Sequence, residues 1–598
     1  MTPSRIIDAF PAPSFRENQR AALEDIASAF EAGNDVVLVR APTGSGKSLL
    51  ARAVMGTARR PGEAAAHEVV GAYYTTPQVS QLDAVEADDL LDDLSVIRGK
   101  HNYDCILPGE TDTPVDRAPC ARERDFDCPK QHKCPYFSDR AIAANRNYAA
   151  MTLAYFMRTA GSDVFGKRDV VVIDEAHGLA EWAEMYATIE LNADTVPVWE
   201  DVTVPTVDGL EDAVAAAETI LAACERRLTE FRRTHELTAE QTAARDRLTE
   251  RQRELNWFIE DARDLDSATT WLVDQAGGGA ITIKPVNPAR YLHHTVWDRG
   301  NTFVLLSATI LEKAAFCRSV GLDPDRTALV EVDHTFPIEH RPLVDVTRGR
   351  MTYDNRDETL PKIARLLVRL MATHPDEKGI VHAHSYAIQS GLARRLREMG
   401  VGDRLHVHDR DEREAELDAW QARDDPAVFL SVTMEEALDL QGDMARWQVL
   451  CKAPFPNTND ARVAHRLQDD QWAWYYRTAL RTVIQACGRV VRSPDDYGVT
   501  YLADTSLLDL FDRAGASMPA WFREQVDRMD RPDLPDFDPA AALTAYENKP
   551  SPQDGTGAID RSTTRRPDRK RRTGDSTDED SGSGSDFDDH PLSDVWGT

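Results

Sequence analysis

The chain is short of cysteine, short of lysine and without any long apolar run. Its 598 residues hold eight cysteines, and Cys224, Cys317, Cys451 and Cys487 stand alone. That excludes the disulfide framework of a small secreted domain. No stretch approaches the roughly 18 apolar residues of a membrane helix. The opening "MTPSRIIDAFPAPSF" carries no apolar signal core. A soluble, cytoplasmic chain with reduced thiols and no membrane partner is the expectation. Basic charge is also scarce: 70 Lys and Arg face 101 Asp and Glu, a formal charge of −31. Lysine is several-fold rarer than arginine, and the acidic residues are scattered over the whole length. This pattern suits solubility in a salt-rich, halophilic cytosol, where a Debye length of about 3 Å at about 1 M salt weakens self-repulsion. An ordinary acidic protein is the alternative. Attraction to phosphates would be screened in such salt, so a nucleic-acid partner would need stacking, backbone hydrogen bonds and close arginine contacts.

What the sequence does contain begins with "NDVVLVRAPTGSGKSLLARAVM". The apolar run Val36–Val39 predicts a buried parallel strand. "APTGSGKS" fits the P-loop pattern, with Ala41 in the place of its first glycine. Ala41, Pro42, Thr43, Gly44, Ser45 and Gly46 form the loop, and the glycines let backbone N–H groups turn toward phosphate. Lys47 would reach the β- and γ-phosphates of ATP, and Ser48 would bind Mg²⁺. "LLARAVM" reads as the helix that the motif requires.

A second buried strand, Val170–Ile173, runs into Asp174-Glu175-Ala176-His177. An acidic pair at a strand's C-terminal end sits where α/β sheets bind ligands. Asp174 would hold Mg²⁺ through water, and Glu175 would orient the attacking water. His177 would couple the site to a neighbouring domain; a plain helix cap is the bland alternative. A third strand, Phe303–Leu306, is followed by Ser307 and Thr309. The second half has its own α/β pattern and ends in "TVIQACGRVVRSPDDYGVTYLAD". On a helix, residues four apart share a face, so Gln485 and Arg489 are expected together in a cleft with Arg492 beside them. Guanidinium groups there would act on the γ-phosphate; a solvated basic helix is the alternative.

Between the loop and the acidic strand lie Cys105, Cys120, Cys128 and Cys134, separated by 14, 7 and 5 residues. The short CxxC knuckle of structural zinc sites is missing, although His101 and His132 lie close by. Wider spacing and the Cys-Pro steps at Cys128 and Cys134 suit an iron–sulfur cluster. Zinc and unliganded thiols stay open. Arg98, Lys100, Arg122, Arg124, Lys130, Lys133, Tyr136 and Phe137 make the surroundings basic and aromatic, fit for meeting a strand junction or for packing a small domain.

From about Phe15 to Val526 the sequence resembles the XPD/DinG branch of superfamily 2 DNA helicases. "FRENQ" is similar to its adenine-side motif, with Arg16 and Gln19, and "YYTTPQVSQLDAV" to its first strand-contacting motif. The acidic strand end together with "LLSAT" resembles motif III, which would give Ser307 and Thr309 a coupling role. Gln485, Gly488, Arg489 and Arg492 match the QxxGRxxR signature of motif VI. "HTFPIEHRPL", "HAHSY", "CPYF", "NRNY" and "LQGD" also have the branch's look, the last adding Gly442 and Asp443 to the ATP-binding set.

The resemblance implies an α/β fold of two RecA-like P-loop motor domains, with a small iron–sulfur insertion and a helical arch insertion in the first. On this sequence that gives a first motor domain at 1–95, 141–200 and 278–335. A 4Fe–4S insertion falls at 96–140, a helical arch at 201–277 and a second motor domain at 336–535. The arch segment is rich in helix formers and has no sustained heptad seam. A polar tail at 546–598 is expected to be disordered, with Leu592 and Trp596 as a candidate docking motif. The implied activity is ATP-dependent DNA unwinding with 5′→3′ movement on a single strand, in repair or replication. A translocase that remodels nucleoprotein, a nucleotide-gated scaffold and an RNA helicase are the alternatives.

Overall fold

The structure, a computed structural model, describes residues 2–60, 69–122, 126–162, 164–234, 237–264, 269–275, 279–410, 412–433, 440 and 442–532. The polar tail at 546–598 and Arg124 lie outside the described residues. In chain order the first strands are β1 (Val36–Arg40), β2 (Ala72–Thr76), β3 (Ser95–Ile97), β4 (Tyr148–Thr152) and β5 (Arg168–Ile173). They are followed by β6 (Ile189–Leu191), β7 (Trp271–Gln275), β8 (Ile281–Pro285), β9 (Gly300–Ser307) and β10 (Thr327–Glu331). Seven of these form one sheet in the order β10-β1-β9-β5-β2-β4-β3, parallel at every pairing. The run Val36–Val39 has no polar alternation because both of its faces are covered. Val37 and Val39 pack into one apolar core and Val36 and Leu38 into another on the opposite side. β1 lies between β9 and β10, which brings the ends of the P-loop strand, the acidic strand and the Ser307 strand to one edge of the sheet.

A second parallel sheet is built from β11 (Leu343–Asp345), β12 (Gly379–His382), β13 (Leu405–Val407), β14 (Val428–Ser431), β15 (Trp447–Leu450) and β16 (Val499–Leu502). Its order is β11-β16-β15-β12-β14-β13. Val381 and Leu430 face one core, and Ile380 and Phe429 the other. Two doubly covered parallel sheets in one chain agree with the expected α/β class.

The long segment between β6 and β8 forms helices Leu210–Arg233 and Ala239–Arg263. At 24 residues and about 1.5 Å per residue the first is about 36 Å long. The second starts with a reciprocal cap: Gln241 N–H donates to Thr238 Oγ1 at 3.2 Å, and Thr238 N–H to Gln241 Oε1 at 3.0 Å. Ala216, Ala217, Ile220 and Cys224 of the first helix share a core with Leu248, Leu255 and Phe258 of the second and with Ile189, Leu191, Trp271, Ile281 and Ile283. The antiparallel sheet β6-β8-β7 is part of that core. The packed unit therefore extends past 201–277 at both ends, because β6 and β8 pair across the whole insertion. Likewise Val96 and Ile97 belong to β3 and pair with β4, so the first residues of the 96–140 segment are still sheet.

The second sheet has little room at its centre. Gly379 lies flat against the Trp447 ring, and a Cβ there would strike its six-membered part. Gly379→Ala is expected to cost about 1–3 kcal/mol through overpacking, read as a lower denaturation midpoint. An unchanged midpoint would show that the ring moves aside freely.

Candidate active site between the two sheets

The loop Ala41–Gly46 leaves β1 and enters the helix Lys47–Met55. Gly44 and Gly46 take φ +80° and +79°, where an L side chain is strained. Ser45 closes the loop, donating to the Pro42 carbonyl from its N–H at 3.3 Å and from Oγ at 2.7 Å. Ala41 N–H donates to the Ser307 carbonyl at 3.1 Å. Gln19, only 1% exposed, lies along the loop. Its Nε2 donates to the Ser45 carbonyl at 3.0 Å, and its Oε1 accepts from the Arg16 N–H at 2.8 Å. Arg16 itself is exposed.

At the end of β5, Glu175 takes φ +47°, a non-glycine residue in the left-handed region of the kind that gathers at functional sites. This turn aims its carboxylate at the loop: Lys47 Nζ lies 3.4 Å from Glu175 Oε1. Glu175 Oε2 lies 3.3 Å from His177 Nδ1, which is 2.9 Å from Ser307 Oγ. Ser307 Oγ in turn accepts the Thr309 N–H at 3.0 Å. From the second sheet's side, Gln485 Nε2 reaches His177 Nε2 at 2.6 Å and Thr309 Oγ1 at 3.3 Å. Nδ1 of the same ring faces Ser307 and Glu175. Five predicted residues, Lys47, Glu175, His177, Ser307 and Thr309, thus join Gln485 in one polar line that crosses between the two domains.

The charges in this line are unequal. Burial alone would raise the Glu175 carboxyl, but the Lys47 ammonium and His177 outweigh it and hold the group below the usual carboxylate range. Asp174 goes the other way: burial and the neighbouring Glu175 charge hold it above the ordinary value. Its Oδ2 accepts from Tyr74 Oη at 2.7 Å and its Oδ1 from the Glu175 N–H at 2.9 Å. Burial and the Asp174 charge push the Tyr74 phenol up, so it stays a donor. Both half-buried carboxylates feel the Lys47 ammonium. The hard oxygens of Asp174 and Ser48 in such a setting fit Mg²⁺, which would supply a positive charge to phosphate oxygens.

The second domain closes over the loop by backbone. A Cβ on Gly488 would lie 3.1 Å from Thr43 Oγ1, and one on Gly44 would lie 3.0 Å from the Arg492 carbonyl and strike the Phe336 ring. Helical spacing does not relate Gln485 to Arg489, because the helix Trp472–Cys487 ends before Arg489 and Gly488 caps it. The residue sharing the face of Gln485 is Arg481, one turn earlier. Its Nη1 donates to the His177 carbonyl at 3.2 Å and to Glu181 Oε1 at 2.6 Å. Arg489 is buried beyond the helix end, near His382, whose imidazole burial pushes down to about 4 with the Arg489 charge contributing. Gly442 N–H donates to Asp496 Oδ2, which also accepts the Arg492 N–H. Asp443 is turned outward, its carboxylate 97% exposed and paired with Arg446 at 2.8 Å, so the structure does not bring it to the loop.

Sequence reading missed Tyr74, Glu181, Glu184 and Arg481. Arg481 lies four residues before Gln485, which is the signal that points to it. Tyr73 and Tyr74, in the stretch expected to contact a strand, are buried at 1% and 3% exposure. Tyr73 Oη donates to the Gly166 carbonyl at 2.9 Å, and its ring carries the Arg168 guanidinium at 4.3 Å.

Cys120 lies within electrostatic reach of the other three cysteines. The Cys120 thiol is pushed up by burial and then by Cys128, Cys105 and Cys134, with Lys100 opposing. Four cysteines from one segment offer the thiolate donor set that a 4Fe–4S cluster takes. The basic surroundings are partly committed elsewhere. Arg98 pairs with Asp83 at 2.5 Å and Glu86 at 2.8 Å, and Tyr136 is buried against Tyr103 and Phe137. Tyr103, pushed up to about 12 by burial, donates to none of the cysteines but receives the Arg98 N–H at 3.2 Å.

Residues 367–525 match the family described as helicase C-terminal domain, and residues 126–196 match DEAD_2. The resemblance is to helicases. Regulator of telomere elongation helicase 1 from Homo sapiens is 32% identical over 118 residues, 17% of this chain and 10% of that protein. The Drosophila sechellia homolog is 32% identical over 128 residues, 19% of this chain and 13% of that protein. The chain thus spans about a tenth of the length of the curated relatives it matches. A solved XPD helicase covers 88% of this chain at TM-score 0.55 and 17% identity, and S. tokodaii Xpd4 covers 86% at 0.51 and 15%, each over its whole length. These structures share the fold.

Tyr74 presents a direct test of the Asp174 environment. Tyr74→Phe removes one oriented donor and is expected to raise the Mg²⁺ concentration for half-maximal ATP turnover about tenfold, with the KM for nucleotide unchanged. An unchanged Mg²⁺ requirement would separate Asp174 from the metal.

Proposed function

We propose that the chain is an ATP-driven DNA helicase of the XPD/DinG type. The observation that carries this reading is the polar line from Lys47 through Glu175 and His177 to Gln485, which ties a phosphate-binding loop on one parallel sheet to a helix of another. ATP would lie on the loop N–H groups and Lys47, with Mg²⁺ held by Ser48 and Asp174. Glu175, kept ionised by Lys47 and His177, would orient the attacking water. Arg489 and Arg492 would serve the γ-phosphate once the second domain closes further, and Arg16 and Gln19 would serve the adenine side. Gain and loss of the γ-phosphate would then change the His177–Gln485 contact, and repeated closing and opening would move a DNA single strand 5′→3′. Cys105, Cys120, Cys128 and Cys134 would hold a 4Fe–4S cluster that cross-links the small domain between β3 and β4. The paired helices 210–263 would form the arch. Scarce lysine and the −31 charge favour assays in concentrated salt.

Lys47→Ala is expected to abolish DNA-stimulated ATP hydrolysis; turnover near the wild-type rate would remove the site assignment. Anaerobically purified protein should be brown and hold about four iron atoms. A colourless protein with one zinc would reject the cluster. Forked duplexes with 5′ or 3′ single-stranded tails separate the remaining readings. Unwinding of the 5′-tailed fork is the expected result. ATP turnover without strand separation would mark a translocase, and preference for an RNA strand would mark an RNA helicase.

A further inference from the structure

A second contact between the domains lies away from the nucleotide line. The helix Leu179–Tyr186 follows directly on Asp174–His177 and carries Glu181 and Glu184 to the second domain. Glu184 is 6% exposed. It receives the Arg466 guanidinium in a close ion pair and has Arg462 at 3.5 Å. Both arginines project from the helix Ala461–Gln468 of the second domain. Burial outweighs these two cations and holds the Glu184 carboxyl above its ordinary range, as expected of a pair removed from water. Arg466 is fixed on its own side as well, its guanidinium 4.4 Å over the Trp474 ring.

Arg466 has a third attachment. Its Nη2 also donates to the Val286 carbonyl at 2.8 Å. Val286 directly follows β8, and its N–H donates to the Thr270 carbonyl, the residue before β7, at 2.8 Å. Trp271, at the start of β7, donates from Nε1 to Asp261 Oδ2 at 2.8 Å and packs edge-on to Phe258. Asp261 and Phe258 lie on the second long helix. One guanidinium therefore touches the helix that follows the catalytic acid, the second motor domain, and the base of the long helical pair.

We propose that Arg466 couples movement of the second motor domain to the helical pair 210–263, through Glu184 on one side and Val286 on the other. The proposal rests on the ATP-driven reading above. It makes Arg466 a positioning residue. When nucleotide draws the second domain, the guanidinium carries the Val286 strand end with it, and the β7–β8 sheet passes the shift to the helices. Contiguous contacts alone do not establish coupling, so the test must read the helices and the nucleotide site separately.

Hydrogen exchange of the full chain with and without AMP-PNP and Mg²⁺ does so. In the wild type, nucleotide should slow exchange in peptides covering 41–55 and change it threefold or more in peptides covering 210–263 and 281–286. In Arg466→Ala the first response should persist and the second should vanish, with the KM for ATP within about twofold of wild type. Glu184→Gln, which keeps the side-chain shape, should weaken the second response in the same way if Arg466→Ala folds poorly. Arg466→Lys should keep part of it, because both contacts come from the single nitrogen Nη2 and a lysine ammonium is one nitrogen with several donors, on a stem that lacks the stack on Trp474. A helix response that survives in both Arg466→Ala and Glu184→Gln overturns the coupling, as does a wild type whose nucleotide site responds while its helices do not. A wild type with no response at 41–55 overturns the ATP-driven reading itself.

Discussion

Everything proposed for this chain depends on one side-chain amide. Gln485, carried by the second sheet's helix, is held at 2.6 Å from His177 Nε2 and 3.3 Å from Thr309 Oγ1. It joins the His177 side of the first sheet to the helix Trp472–Cys487 of the second. With it, His177 stands between Gln485 on one side and Ser307 and Glu175 on the other. The contact is a local hydrogen bond from an amide, which matters in a chain of −31 formal charge. Hydrogen bonds at contact distance persist in salt that screens exposed charges.

A second layer of contact is ionic and buried. Arg481 on Glu181, and Arg462 and Arg466 on Glu184, all link the helix that follows His177 to the second domain. Buried pairs add little net stability over an apolar contact but are costly to break one partner at a time, so they favour discrete arrangements of the two domains over a loose continuum. The P-loop sits beneath this interface, with Thr43 against Gly488 and Gly44 against Phe336 and the Arg492 carbonyl. A side chain at 44 would meet the Phe336 ring in a left-handed backbone conformation, and one at 488 would press on the Thr43 hydroxyl.

Much of this was legible in the sequence. Apolar runs without alternation located β1, β5 and β9 to within a few residues, because strands covered on both faces have no polar side to mark. The P-loop pattern and the Asp174–His177 stretch located the loop and the acidic strand end, since their signals are local. Contacts made across the fold were not legible. The partnership of Tyr74 with Asp174 depends on β2 lying beside β5, and no spacing rule in the sequence states that. The helix carrying Gln485 was extended too far, because "CGRVVR" has helix-compatible residues beyond Gly488. The glycine at the cap ends the helix, and Arg481, one turn before Gln485, shares its face. The helical insertion was read too short because its base is a three-stranded sheet, and β6 is separated from its partner β8 by about ninety residues of chain.

The most direct test of the account is a double-mutant cycle between His177 and Gln485, read on DNA-stimulated ATP turnover. Residues in direct contact within one network show coupling energies of about 0.5–3 kcal/mol. His177→Ala combined with Gln485→Ala should therefore be little slower than the worse single variant. Single-variant losses that multiply in the double variant would mean that the two residues act independently, and that the line between the sheets does not carry the nucleotide signal.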